Sequence, residues 1–242
     1  SRRAFADRFA YFADHAQIDV PWSTLRDPAY LDGRAAEIEL EAATLDAGAG
    51  LVASPTVGHT THLCVVDAER NTVALTQTLL DHFGSRVVAP GTGVVLNNGM
   101  MWFDPYPGRP NSVAGGKRAL TAMSPLVLCR DGSPVLAIGG SGGRRILTAV
   151  AQVVSHVVDH DLGPQAAVEV PRVHCEGRET LVDDRAAPAA VATLERLGHR
   201  LKFLTETPVA VNFALPNAIV FGSDGLLRGG VDPLRPGTAK GI

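Results

Sequence analysis

Three clusters in this chain of 242 residues combine residue types and spacings that could do chemistry. His156 and His160 stand four apart, a spacing that puts two imidazoles on one helix face and can chelate zinc. The zinc-protease version needs a Glu directly after the first His to act as base, and Val157 stands there. The pair therefore reads as two polar residues near a helix C-terminus, where an imidazolium complements the macrodipole, and no metal site is expected. The second cluster, Gly139-Gly140-Ser141-Gly142-Gly143, satisfies G-x-S-x-G between a predicted strand and a predicted helix, the setting of a nucleophile elbow. Ser141 would then be the nucleophile, with Asp183 or Asp184 and His199 as partners in the order Ser, Asp, His. No HGGG-type segment precedes it, however, and the parallel βαβ succession of that fold is missing. The same glycines can instead present bare amides to a ligand at a helix N-terminus. A phosphate loop does not fit, because no Lys-Ser/Thr follows the last glycine.

The third cluster is Gly58-His59-Thr60-Thr61-His62, where a glycine-rich stretch runs into a strand and the next strand supplies Thr76 and Thr78. A threonine hydroxyl is a poor nucleophile, but a threonine exposed as a new N-terminus carries its own base, the α-amine, beside that hydroxyl. The glycine loop would add a pair of oxyanion donors.

These residues need elements to hold them. Phe5, Phe9 and Phe12 recur at helical spacing in residues 4–14, and residues 34–45 alternate apolar and acidic residues in a second helical pattern. From about residue 46 the chain turns small and aperiodic, which predicts an exposed linker. Two hairpins follow. One runs from His62 to Val66 and from Val73 to Leu79 about a turn at 67–71; the other joins Leu126–Cys129 to Val135–Ile138. A helix is predicted from about Arg144 to Asp159, ending near Gly163-Pro164, and another from Pro188 to Leu197. Strands are expected near 199–204, 218–221 and 226–230. Helices beside a largely antiparallel set of strands make an α+β layered domain.

Composition narrows the rest. With 45% hydrophobic and 19% charged residues the chain can bury a core, and a net charge of −3 gives no pull toward nucleic acid or anionic lipid. No apolar run is long enough to span a membrane. Cys64, Cys129 and Cys175 cannot all pair with one another, and each has apolar neighbours, so all three are expected as small core hydrophobes. The absence of a starting Met suggests a processed chain or a piece of one, and leaves the compartment open.

The sequence resembles the γ-glutamyltransferase family of N-terminal-nucleophile hydrolases over nearly its whole length. The resemblance rests on Thr60-Thr61-His62, Thr78, Phe83-Gly84, Leu96-Asn97-Asn98, Lys117-Arg118, Met123-Ser124-Pro125, Gly142-Gly143 with Arg145-Ile146, Pro171-Arg172 and Asp232-Pro233. It implies a four-layer αββα sandwich, present only in part here, and a precursor that cleaves itself between His59 and Thr60. Residues 1–59 would be the tail of a large subunit with its linker, and residues 60–242 the small catalytic subunit. Thr78 would orient the Thr60 hydroxyl, Gly142 and Gly143 would stabilise the oxyanion, and the acyl-enzyme on Thr60 would pass to water or an amine. No cofactor is implied. The partners implied are a small-molecule amide or γ-glutamyl-like substrate and a preceding large-subunit segment, which would bring an arginine for the substrate carboxylate.

Where family members read the glutamyl amine with an Asn, a Gln or Glu, and an Asp, this sequence has Leu80, Gly99 and Trp102. The family's Ser-Ser pair, which helps bind the α-carboxylate, is Thr121-Ala122 here. A buried ammonium without acceptors costs several kcal/mol, so the expected acyl donor is not an ordinary γ-glutamyl compound, but a larger or less polar amide. The alternatives are a serine hydrolase using Ser141 and an unprocessed, non-catalytic paralogue.

Overall fold

The computed structural model describes residues 1–45, 60–234 and 236–241. The expected linker and His59 lie outside them. Helices α1 (Arg2–Tyr11), α2 (Trp22–Leu25) and α3 (Pro28–Ala36) come first. The hairpin β1 (Thr60–Val66) and β2 (Thr72–Thr78) follows, then β3 (Leu126–Arg130), β4 (Ser133–Ser141), α4 (Arg145–Val158) and α5 (Pro164–Glu169). The chain ends with β5 (Val173–His174), β6 (Glu179–Asp183), α6 (Pro188–Arg196), β7 (Arg200–Leu204), β8 (Leu215–Phe221) and β9 (Leu227–Val231).

The helical pattern expected at 34–45 is corrected to α3. Asp27 caps that helix by accepting from the Ala29 amide at 2.8 Å, and Pro28 supplies a preset φ in the first turn. Beyond Ala36, Ile38 and Leu40 are exposed and no described residue buries them, so the amphipathic pattern gains no tertiary support for staying helical among the described residues. Pro164 opens α5 where only a helix end was expected. Strands β5 and β6 were not foreseen either, and β6 pairs with β7 in parallel, whereas the other pairs of named strands are antiparallel.

The main sheet has the order β3-β4-β8-β9. One face packs on α4 and α5 through Leu136, Ile138, Ile146, Val150, Val153 and Val168, all nearly excluded from solvent. The β1-β2 hairpin, in register from Thr60↔Thr78 to Val66↔Thr72, packs on the other face against β4 and β8. The layers are therefore helix, sheet, sheet, consistent with an α+β sandwich present in part.

The hairpin shows why the sheets sit so close. Its less exposed face carries Thr60, His62 and Cys64 from β1 and Ala74, Thr76 and Thr78 from β2, while Leu63, Val65, Val73 and Leu75 point outward and are exposed. A Cβ on Gly139 would lie 2.2 Å from the His62 ring. Glycine in β4 is thus a requirement of the sheet packing, since it leaves the space the imidazole fills. Asn217 Nδ2 donates to the His62 carbonyl at 2.9 Å and ties β8 to β1.

The cysteine expectation holds in part. All three are free; Cys175 is buried and Cys64 half-buried, but Cys129 is exposed. The register shift between Leu128 and Cys129 falls at that position on β3, an outer strand of the sheet.

Candidate functional site

The register of the hairpin places Thr60 directly opposite Thr78, and Thr60 Oγ1 donates to Thr78 Oγ1 at 3.0 Å. Thr78 Oγ1 also accepts from the Leu80 amide at 2.8 Å. That second bond closes a tight turn as the chain leaves β2, with Leu80 in the left-handed region at φ 73°. Two hydroxyls and a backbone amide therefore form a short chain ending at Thr60, which fixes its rotamer.

Thr60 lines a cavity of about 450 Å3 whose wall also includes Leu80, Trp102, Thr121, Ala122 and Gly143. Five of the expected site positions thus join the proposed nucleophile around one space. Gly142 and Gly143 form the turn between β4 and α4, with φ of 138° and 62°. A Cβ at Gly142 would lie 2.5 Å from Ala214 Cα, so the turn is wedged against the segment entering β8. Gly99 is not among the lining residues. It stands behind Trp102, where an added Cβ would lie 3.1 Å from the indole ring, so its influence on the cavity runs through the indole.

The wall opposite the hairpin is held by local bonds. Asn111 donates to the Trp102 carbonyl at 2.7 Å and accepts from the Leu120 amide at 3.0 Å, which fixes Trp102 relative to the Thr121-Ala122 segment. Asp14 accepts from the Arg118 amide at 2.9 Å, fastening this wall to the N-terminal segment. Those bonds, with the neighbouring Ala16 amide, hold the Asp14 carboxyl below its ordinary range.

His62 lies on the same face of β1 as Thr60, with Nδ1 2.7 Å from Thr76 Oγ1 and Nε2 3.3 Å from Cys64 Sγ. Burial pushes its pKa down to about 4, so the imidazole is neutral at physiological pH and acts as a filler and hydrogen-bonding group between the sheets. The same burial pushes the Cys64 thiol up to about 11, which keeps it protonated.

The serine arrangement is not assembled. Asp183 is paired with Arg185 at 2.6 Å, Asp184 accepts from the Thr205 hydroxyl, and His199 Nδ1 meets Thr180 Oγ1 at 2.9 Å. These groups belong to the β5-β6-β7 region, whereas Ser141 ends β4 in the other sheet. His156 and His160 have ring centroids 6.3 Å apart, and among the described residues no group of three or more His, Cys, Asp or Glu could hold a metal.

Several lining residues carried no sequence signal. Arg8 and Phe9 come from α1, Asn111 and Tyr106 from the long connection after β2, and Arg144 from the glycine turn itself. Arg144 is paired bidentately with Glu176 at 2.8 and 2.9 Å. Burial alone would raise the Glu176 carboxyl, but the nearby His174 ring, 3.7 Å away, and the hydrogen bonds from Arg144 outweigh it and hold the pKa at about 2.

Residues 1–242 match the family model described as gamma-glutamyltranspeptidase. The chain is 41% identical over 226 residues to the acylase ACY 1 proenzyme of Pseudomonas sp. (strain SE83), a match that covers 93% of this chain and 39% of that protein. It thus spans about two fifths of that relative's length. Among solved structures, cephalosporin acylase from Bacillus halodurans superposes with a TM-score of 0.81 at 27% identity, covering 97% of this chain and 42% of that one. Gamma-glutamyltranspeptidase from Pseudomonas nitroreducens complexed with L-DON superposes with a TM-score of 0.66 at 31% identity; here the match covers 75% of this chain and 99% of the other.

Proposed function

The chain belongs to the gamma-glutamyltranspeptidase family, and from that premise we propose that residues 60–242 are the catalytic subunit of a self-processing amidohydrolase or acyltransferase whose nucleophile is Thr60. The observation that carries this reading is the Thr60 hydroxyl donating to Thr78 at 3.0 Å on the wall of a cavity that Gly143 also lines. Two comparisons support the division of the chain at residue 60. A solved chain matched over 99% of its own length takes up 75% of this one, and the acylase relative is named a proenzyme.

The chemistry follows from the residues. Thr60 Oγ1 attacks the His59 carbonyl carbon, and the acyl group moves from the Thr60 nitrogen to its oxygen. Water then hydrolyses that ester and leaves Thr60 with a free α-amine. In each later turnover the amine accepts the hydroxyl proton as Oγ1 adds to the carbonyl of a donor amide. The amides of Gly142 and Gly143 stabilise the tetrahedral oxyanion, a contribution of about 2.7–4 kcal/mol per donor in comparable sites. The protonated amine gives its proton to the departing nitrogen as the C–N bond breaks. Water or an acceptor amine then takes the acyl group from Thr60. Thr78 accepts from Thr60 in the resting state and so holds the nucleophile in one rotamer, lowering the entropic cost of attack.

Residues 1–45 are held against the catalytic part. Ser1 Oγ donates to the Cys175 carbonyl at 2.7 Å, Arg2 donates to the Gly177 and Arg178 carbonyls, and Phe5 meets His174 edge-on. Cleavage at Thr60 would leave these contacts in place, so both pieces would stay together.

The donor is not an ordinary γ-glutamyl compound. Leu80 and Trp102 give the cavity apolar side chains where a glutamyl ammonium would need acceptors, and Asp104, a carboxylate of the same wall, is already paired with Arg109 at 3.0 Å; desolvating the ammonium without a free acceptor costs several kcal/mol. The intact mass of the purified precursor tests the nucleophile. Scission between His59 and Thr60, abolished by Thr60→Ala, is the expected result, and an uncleaved wild-type chain with full activity would refute it. Turnover of γ-glutamyl-p-nitroanilide as fast as that of the best apolar amide would refute the donor reading.

A further inference from the structure

One face of α4 is fastened to the segment that begins with β5 by contacts four residues apart along the helix. Gln152 donates to the Val173 carbonyl at 2.9 Å and accepts from the Val173 amide at 3.0 Å. Thr148 Oγ1 lies 2.8 Å from His174 Nδ1. Arg144, one turn nearer the start of the helix, donates to both Glu176 oxygens at 2.8 and 2.9 Å. A spacing of four keeps these side chains on one face, so the row runs from the middle of α4 to the residue that follows Gly143. At Arg144 the glycine turn becomes helix, and its side chain makes no capping bond to α4. Glycines at φ 138° and 62° resist reorientation little, because no Cβ restricts them. The aim of their amides is therefore set by what grips the turn at its ends. Ala214 stands against Gly142 on one side, and the Arg144–Glu176 pair holds the other. The Glu176 side chain is only 8% exposed. Helix α1 flanks the pair, with Phe5 edge-on to His174 at 5.6 Å and the Arg144 guanidinium 5.8 Å from the Phe9 ring centre. A bidentate pair fixes direction as well as charge. Arg8 and Arg145 also stand close enough for Arg144 to repel them and Glu176 to attract them. Without the carboxylate, that repulsion would push Arg144 from its place.

We propose that Glu176 is a positioning residue for the reaction: through Arg144 it fixes the direction in which the Gly142 and Gly143 amides meet the tetrahedral oxyanion. This rests on the reading of that turn as the oxyanion site and goes beyond it in naming what aims the amides. Glu176 does not line the cavity, whereas Arg144 and Gly143 do. A change at Glu176 therefore reaches the reacting atoms through the turn. The oxyanion exists only in the transition state and the intermediate next to it, so the effect falls on kcat and leaves KM nearly as it was.

The test uses the complete processed enzyme, an anilide donor and its thioanilide, in which sulfur replaces the carbonyl oxygen and accepts hydrogen bonds weakly. Glu176→Gln is expected to lower kcat for the anilide by about 10- to 100-fold, the scale of a misplacement of about 1 Å. The anilide-to-thioanilide ratio of kcat is expected to fall by about 10-fold, a fraction of what losing a donor outright costs. Both substrates are read on one preparation, so losses in folding or processing cancel in the ratio. Arg144→Met should lower the ratio too, and adding Glu176→Gln to it should change nothing further, because the two residues act as one strut; a further fall overturns the route through Arg144. Gln152→Ala cuts the same row at its far end and should lower Tm with the ratio intact. An equal fall there would mean a loosened helix and overturn the proposal, as would an unchanged ratio in Glu176→Gln. Glu176→Asp, which keeps the charge and shortens the arm, should fall between wild type and Glu176→Gln, and replaces the latter in the test if that variant does not process. Gly142→Ala read on the same two substrates separates the failures. A ratio that falls there but not in Glu176→Gln removes the role of Glu176 alone, and one that falls in neither removes the oxyanion turn with it.

Discussion

Replacing Gly142 by alanine tests the proposed oxyanion turn at the point where the structure gives it least room. An added Cβ would sit 2.5 Å from Ala214 Cα and 2.7 Å from Ala214 Cβ. Ordinary carbon contacts are about 3.5–4.0 Å, so one of the two segments must move by about 1 Å. Ala214 is poorly placed to yield. Its carbonyl accepts from Arg172 at 3.2 Å and that of Phe213 from the same guanidinium at 3.2 Å, while Arg172 is anchored to Asp232 at 2.7 Å and is itself buried. Hence the glycine turn moves, and its amides move away from the oxyanion position. Losing an oxyanion donor lowers kcat by about 10²- to 10³-fold, and the positive φ of 138° adds strain of about 1–3 kcal/mol to the folded state. The assay is steady-state turnover of an amide substrate per cleaved molecule, with a thermal melt alongside. Gly132→Ala is the control, since Gly132 sits at φ 78° in the β3-β4 turn with nothing within 4 Å of its added Cβ. It should lose stability and keep kcat. A Gly142→Ala enzyme within threefold of wild-type kcat would refute the placement of the oxyanion at this turn.

Asp232→Asn should destabilise the protein by about 3–5 kcal/mol in urea unfolding, because it leaves the buried Arg172 guanidinium without its counter-charge; a loss below 1 kcal/mol would show that the carbonyls of Val168, Phe213 and Ala214, which also accept from Arg172, suffice. Stability should also decline with acid through His62. Its folded-state pKa near 4 lies below the ordinary value of 6.5, so the unfolded chain binds the proton first, and the contribution present above about 6.5 is lost as pH falls toward 4. His62→Phe, which keeps a ring over Gly139, should flatten the dependence of Tm on pH in that window, and an unaltered slope would count against it. The double substitution Leu80→Asn with Trp102→Asp should raise kcat/KM for γ-glutamyl-p-nitroanilide by about 10- to 100-fold by giving the ammonium acceptors; no gain would show that these positions do not exclude the amine.

Much of the hairpin and of the glycine turn was legible in the sequence. Alternating hydroxyl and apolar residues specify β1 and β2, a two-residue period sends Thr60 and Thr78 to the same face, and the antiparallel register pairs them. Helix α4 was equally plain, because a long amphipathic pattern survives any tertiary context. Short elements were not legible: β5, β6 and α5 have too few residues for a period, and the helix expected at 34–45 moved to 28–36 because the cap at Asp27 and the exposure of Ile38 and Leu40, which no described residue buries, decided it.

Residue types and spacing along the chain determined the local chemistry: a threonine at a strand start, a second threonine across a hairpin, glycines between a strand and a helix. These are short-range facts, set by backbone sterics and side-chain periodicity. Only the tertiary structure decided which distant groups share the cavity. Arg8 and Arg144 look alike as letters in a sequence, yet Arg144 is answered by Glu176 from 32 residues away while the Nε of Arg8 meets no hydrogen-bond partner among the described residues. Ser141 and His199 could be partners as read along the sequence, yet Ser141 ends β4 in the main sheet while His199 stands just ahead of β7 and meets Thr180 of β6. Burial and charge pairing depend on contacts between segments far apart in the chain, and no local pattern records those contacts.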